Sequence, residues 1–170
     1  MGKRLYKFLA IGLVVLMVAC DQAPSLDQPN NYEVNFPNQR FSGTIPDGEY
    51  TAAYVDSDFG SGMIRTMTVG FSDGDLTVNL LIMMDGNRVL PIRTEDDDFG
   101  SYITINTMGE DIEGYHGSIQ GSISISNIKT TAISGKTGFL TGEFSFSGQF
   151  VRIMEPDMEP LPVNGKFSVN

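Results

Sequence analysis

The sequence predicts an all-β, antiparallel body, and three observations point to it. Apolar and polar residues alternate with a period of two in one stretch after another. Glycine supplies 19 of the 170 residues, and no window beyond the first twenty carries apolar side chains at the three-and-four spacing of a helix. Turn signals separate the alternating runs. Hairpins recurring at roughly 8–12 residues imply a meander of about eight to ten strands. Glycines on the apolar faces of the longer runs favour strong bends, and with them a small barrel or a tightly coiled sandwich.

The chain opens differently. Lys3, Arg4 and Lys7 give a positive start, Phe8 to Val18 is an apolar run broken only by Gly12, and Ala19 precedes the single cysteine, Cys20. A basic region, a short apolar region and a small residue before a cleavage point make up a secretory signal. The run is too short to span a bilayer, which takes ~20 apolar residues. Leu16-Met17-Val18-Ala19-Cys20 resembles the lipobox of bacterial lipoproteins, with Met17 where that family usually carries Leu, Val or Ile. The resemblance implies cleavage before Cys20, a diacylglycerol on its thiol and an acyl chain on the new N-terminus. Two or three chains hold firmly, since each buried CH2 contributes ~0.8 kcal/mol. The implied place is the bacterial cell envelope, at the outer membrane or the cell surface. Asp21 after the cysteine resembles the inner-membrane retention signal of enteric-type lipoproteins, so the choice of membrane stays open.

Without residues 1–19 the chain keeps eight of its eleven cations and all twenty-one acids, a net charge of −13. Such a field opposes nucleic acid and anionic lipid headgroups. With one cysteine, internal disulfides and cysteine-ligated metal centres are excluded. Residues 20–31 hold Asp, Gln, Ala, Pro, Ser and Asn with a single Leu, too little apolar area to offset ordering, and read as a tether. Residues 32–170 then suit one domain.

Within that domain the alternation is plain. Leu76, Val78, Leu80 and Ile82 share a face, although Leu81 and Met83 make the other face partly apolar. Ile119, Ile123 and Ile125 oppose Ser118, Gln120, Ser122, Ser124 and Ser126. Leu140, Phe144, Phe146 and Phe150 oppose Thr141, Glu143, Ser145 and Gln149, with Gly142 and Gly148 on the apolar side. Residues 63–71, 103–106 and 166–169 are shorter versions. Asp73-Gly74 and Asp85-Gly86 carry the type I′ hairpin signal, and Ser134 to Gly138 offers a third hairpin. Gly142-Glu143-Phe144-Ser145-Phe146 followed by Asn164-Gly165-Lys166-Phe167 resembles the closing strands of small, β-rich lipoproteins of Bacteroidetes-like bacteria. That likeness implies a β-rich lipoprotein body and assigns no functional residue.

Candidate sites are few. Asp56-Ser57-Asp58-Phe59-Gly60-Ser61 and Asp96-Asp97-Asp98-Phe99-Gly100-Ser101 form a near-repeat forty residues apart. Spaced carboxylates before Gly suit Ca2+, yet the later ligand positions of an EF-hand hold Gly60 and Met67, or Gly100 and Thr107. The plainer expectation is a turn whose Asp starts it, whose Gly supplies positive φ and whose Phe plugs a barrel end. Any Ca2+ site would centre on Glu95, Asp96 and Asp98, helped by Glu110, Asp111 and Glu113. His116, the only histidine, could serve a Ser-His-acid triad, but the chain has no G-x-S-x-G elbow. Zinc would need more nitrogen or sulfur ligands, and no phosphate-cradling P-loop occurs. Met154 to Pro162 carries three prolines in seven residues and cannot join a central ladder. It reads as a stiff connector or as a partner-docking loop centred on Glu155, Pro156, Met158 and Pro160.

The expectation is therefore a non-enzymatic envelope lipoprotein that binds or scaffolds a protein partner, anchored to the membrane through Cys20. Two alternatives remain open. One is a lipocalin-like carrier of a small apolar ligand, which needs an interior cavity of ~300 Å³ or more. The other is an enzyme inhibitor presenting the proline-rich loop.

Overall fold

The computed structural model describes residues 29–60, 62–93, 99–108, 112–155 and 157–170. Cys20, Glu95, Asp96, Asp98, Glu110, Asp111 and Pro156 lie outside the described residues. Ten strands follow one another: β1 (Asn31–Asn35), β2 (Arg40–Thr44), β3 (Tyr50–Asp58), β4 (Met63–Asp73), β5 (Leu76–Asp85), β6 (Arg88–Val89), β7 (Tyr102–Thr107), β8 (Gly114–Ser134), β9 (Thr137–Arg152) and β10 (Leu161–Val169). All named strands pair antiparallel in a single sheet of order β2-β1-β10-β9-β3-β4-β5-β7-β8, with β6 against β5. An additional β8–β9 pairing turns part of this order into a ring, β9-β3-β4-β5-β7-β8 and back to β9. The all-β expectation is met, and the partial ring is what a small barrel or sandwich requires.

The period-two faces align across the strands in rows. Ala52, Val69, Leu80 and Ile103 are directly paired neighbours in β3, β4, β5 and β7, and all four are buried. The next row is Tyr50, Phe71, Val78, Ile105 and, on β8, His116. From the other wall, Phe144, Phe146 and Phe150 of β9 meet Phe167 and Val163 of β10 with Tyr32 and Val34 of β1. The two walls touch through aromatic pairs, Tyr32 on Phe71 at 4.7 Å and Phe71 on Phe167 at 5.1 Å between ring centres. Each fully buried Phe, Leu or Ile contributes ~1.5–3 kcal/mol by leaving water, so these rows hold the sheet closed.

The turns differ from the expected type. Asp73 pairs with Leu76 and Asp85 with Arg88, so the two-residue loops are Gly74-Asp75 and Gly86-Asn87. Gly74 and Gly86 have φ of 53° and 58°, while neither Asp75 nor Asn87 has positive φ. Positive φ at the first loop residue alone is the type II′ pattern, not I′. The register decides it, because the ladder takes in the Asp and leaves the Gly at the first central position.

The β8–β9 hairpin is the longest element and it bends. Gly121 of β8 stands opposite Gly148 of β9, with Gly121 at φ 151°. A Cβ on Gly121 would lie 2.2 Å from the Ser147 carbonyl oxygen, and one on Gly148 would lie 2.3 Å from that of Gln120. Only a glycine pair lets the two backbones approach so closely. The bend lets β9 pair with β10 over Gly142–Phe150 and with β3 at Thr137–Phe139, both along one edge. Pro162 joins the ladder opposite Gln149, contrary to the expectation for this proline. It is tolerated because β1 pairs only with Asn164–Phe167, leaving the other edge of β10 open beside Pro162.

Candidate functional site

His116 sits in an apolar row, so its ring is enclosed by the core; it is fully buried, with Phe36 edge-on at 5.6 Å. Nε2 donates to the Ile112 carbonyl oxygen at 2.9 Å, and the Thr107 hydroxyl donates to the same oxygen. With Nε2 protonated, Nδ1 carries the lone pair, and it has no hydrogen-bond partner among the described residues. Burial pushes the His116 pKa below the ordinary value, helped by Arg152 and opposed by the Ile112 bond. The ring is therefore neutral, oriented by a carbonyl rather than a carboxylate, and sealed from solvent. It fills the core.

The two near-repeats come together in space. Phe59 and Phe99 pack edge to face at 5.5 Å, and Gly60 and Gly100 take positive φ as expected. Neither ring plugs the sheet end, since Phe59 is 51% and Phe99 46% exposed. In the first copy the carboxylates are taken by cations. Asp56 accepts both guanidinium bonds of Arg65, at 2.7 and 2.8 Å, and Asp58 meets Lys136 at 2.9 Å. The Arg65 hydrogen bond holds the Asp56 carboxyl below its usual range. No cluster of three or more metal-binding side chains occurs among the described residues, and Glu95, Asp96 and Asp98 are outside them.

The loop between β9 and β10 presents apolar side chains. Met154 is 87% exposed and Met158 50%, with Tyr115 and Ile153 exposed nearby; Ile153 donates its N–H to the Tyr115 carbonyl. Arg152 holds the loop base, pairing with Glu155 at 3.2 Å, and the Met158 N–H donates to the Glu155 carbonyl. Pro160 is exposed. Of the loop residues singled out from the sequence, Glu155 stiffens the excursion while Met158 projects.

A second surface was not legible from the sequence. Three adjoining clefts of about 440, 330 and 410 Å³ lie along β1, β10, β9 and β8, the first lined by Tyr32, Ile125, Phe144 and Phe167 as well as by polar side chains. One row there runs Glu33, Lys166, Ser145, Ser124, and the next Asn35, Asn164, Ser147, Ser122. Glu33 is held by Arg40 at 3.2 Å and Lys166 at 3.5 Å. Its carboxyl pKa is lowered, first by the Asn35 amide and then by the two cations. The alternating Ser and Asn positions were visible, but strand order alone sets β1 beside β10 and so assembles the face. Its chemistry is hydrogen bonding, with donors and acceptors in register.

Among the described residues, no helix is long and apolar enough to cross a membrane. No protein-family model matches the chain, and neither a curated protein nor a solved structure does.

Proposed function

We propose that the chain is a membrane-anchored cell-envelope lipoprotein whose body is a non-enzymatic binding or scaffold module. The lipobox-like Leu16 to Cys20 supports the anchor. The exposed apolar loop carries the binding reading: Met154 and Met158 are exposed, as are Tyr115 and Ile153 at its start, on a base braced by Arg152 and Glu155. Flexible methionines on a proline-stiffened loop suit a protein groove, because they adapt in shape while the loop gives up little entropy on docking. His116 supports no hydrolytic role in its sealed, carbonyl-bound position. The carrier alternative would have to use the cleft of about 440 Å³, which Tyr32, Ile125, Phe144 and Phe167 line together with Glu33, Ser145 and Lys166 and which opens at the surface instead of forming an enclosed interior.

The test is isolation of the intact protein from its own cell in mild detergent, with mass spectrometry of what remains bound. A stoichiometric polypeptide is expected, lost from the Met154→Asp, Met158→Asp double variant. A partner that is an enzyme, inhibited on binding, would turn the scaffold into an inhibitor. A bound lipid or metabolite without a polypeptide would overturn the reading in favour of a carrier. Mass spectrometry of the N-terminal peptide tests the anchor: an unacylated terminus away from Cys20 would remove it.

A further inference from the structure

The β8 strand runs for 21 residues, and β9 pairs along one edge of it from His116 to Ser134. The other edge meets β7 only over Gly114–Gly117, and the Ser118 hydroxyl then accepts the Ile103 N–H. Beyond that point no described strand lies along it. An open edge is a template for another strand, and proteins usually blunt it with lysine, proline or a bulge. Those devices bracket one stretch of the open edge, which itself runs on to Ser134. Register shifts fall at Ser118/Gln120 and Ser126/Lys129, Asn127 has φ 55°, and Lys129 follows. Between them Gln120 to Ser126 keeps an unbroken register with β9, bends at Gly121, and is uncharged and free of proline.

We propose that this edge, over Gln120 to Ser126, pairs antiparallel with the same edge of a second copy of this chain about a two-fold axis. Charge favours a copy. The chain bears twenty-one acids, yet residues 114–142 contain none, so two copies meet here with the least repulsion. The apolar face favours it too. The buried row Tyr32, Phe167, Phe144 ends at Ile125, which is only partly covered, with no described strand beyond it. A two-fold antiparallel pair keeps corresponding faces together, so Ile stands opposite Ile and Ser opposite Ser. The partner's Ile123 or Ile125 would complete the row, while the polar outer face continues across the axis.

Single cysteines at Ser122→Cys and Ser124→Cys in the full chain test this on non-reducing gels, with the parent chain as baseline for Cys20. A disulfide-linked dimer is expected from at least one of them or from the mixed pair. Ser145→Cys, one strand further from the axis on the same face, is expected to give none. Sedimentation of the Ser122→Glu, Ser124→Glu double variant is expected to show half the mass of the parent at an unchanged melting midpoint. Any of four results overturns the proposal: a monomeric parent, a dimer that survives the paired glutamates, equal cross-linking at Ser145→Cys, or a different polypeptide on the edge that the glutamates displace.

Discussion

The β4–β5 and β8–β9 hairpins share one construction, long antiparallel strands with a two-residue loop, yet they live in different surroundings. Both β4 and β5 have a strand on each side, β3 beyond one and β7 beyond the other. Their inward side chains Met67, Val69, Leu80 and Ile82 are fully or almost fully buried. In the second hairpin β9 is flanked over most of its length, but β8 has a second neighbour besides β9 only at its start. Ile123 is still buried, Ile125 and Ile128 are partly so, and Ile133 is 53% exposed. Burial follows neighbours, not the alternation within a strand.

That contrast gives the largest expected effect. Phe144→Ala, in a ring stack with Phe167 at 5.3 Å, removes a fully buried side chain and is expected to cost ~3–5 kcal/mol. Ile133→Ala, also in the second hairpin, is expected to stay within ~0.5 kcal/mol of the parent. Urea midpoints at a shared slope measure both. Equal losses would mean that the outer end of β8 is covered in solution, and would break the comparison.

Glycine sharpens it. In the first hairpin a Cβ on Gly70 would meet the Val78 carbonyl oxygen at 2.5 Å, and in the second a Cβ on Gly121 would meet that of Ser147 at 2.2 Å. Both alanine variants force backbone apart and are expected to lose ~1–3 kcal/mol. Gly135→Ala in the second loop has nothing within 4 Å and is expected to be neutral. Urea melts of the three variants would decide whether the Gly121–Gly148 bend is as tightly specified as the flanked hairpin.

Much of this fold was legible, for a physical reason. A period of two is a local property, so the strands near Leu76–Ile82, Ile123–Ile125 and Leu140–Phe150 were visible residue by residue, whereas the register shift at Ser118/Gln120 buries Ser118 and leaves Ile119 only partly covered, against the alternation. Neighbours are not local. Nothing in β1 says that it lies against β10, so the polar face of Glu33, Lys166, Ser145 and Ser124 could not be assembled in advance. The turn type failed for a related reason: Asp-Gly was visible, but the pairing frame that placed Gly first in the loop was not. His116 stood out as the lone histidine, and only the β7–β8 register explains it, by setting the ring opposite Ile105.

The two ends of the pH scale probe the two walls. His116 is neutral and its pKa is lowered in the fold, so the unfolded chain binds its proton more readily. Its contribution is complete above the unfolded value of about 6.5 and is lost as pH falls through it, at no more than ~1.4 kcal/mol per pH unit. A His116→Gln variant is expected to be less stable at neutral pH but to show a shallower loss between pH 7 and 5. Parallel curves would mean that the ring does not titrate on unfolding. Tyr32 behaves oppositely. Burial first, then the bond its hydroxyl donates to Asp73, pushes its pKa to about 12. Its contribution is complete below about 10 and fades as pH rises towards 12. Burial also raises the Tyr50 pKa, so ultraviolet titration is expected to show late phenolates, with the Tyr32 component lost in Tyr32→Phe.

The smallest loss expected of any named interaction belongs to the ion pair at the rim of the flanked hairpin. Arg65 of β4 reaches back to Asp56 of β3 with two parallel bonds and lays its guanidinium 4.4 Å from the centre of the Tyr54 ring. The arginine side chain is 37% exposed, so screening by solvent limits the pair to ~0.5–1 kcal/mol. Asp56→Asn keeps the shape and removes the charge, and is expected to lose that amount at low salt and less at high salt. Arg65→Lys is expected to lose as much, because an ammonium cannot make the bidentate bond or stack as a plane. In a chain this acidic, removing one acid also relieves repulsion. A net gain for Asp56→Asn with a loss for Arg65→Lys would therefore show that repulsion among the acids outweighs the pair.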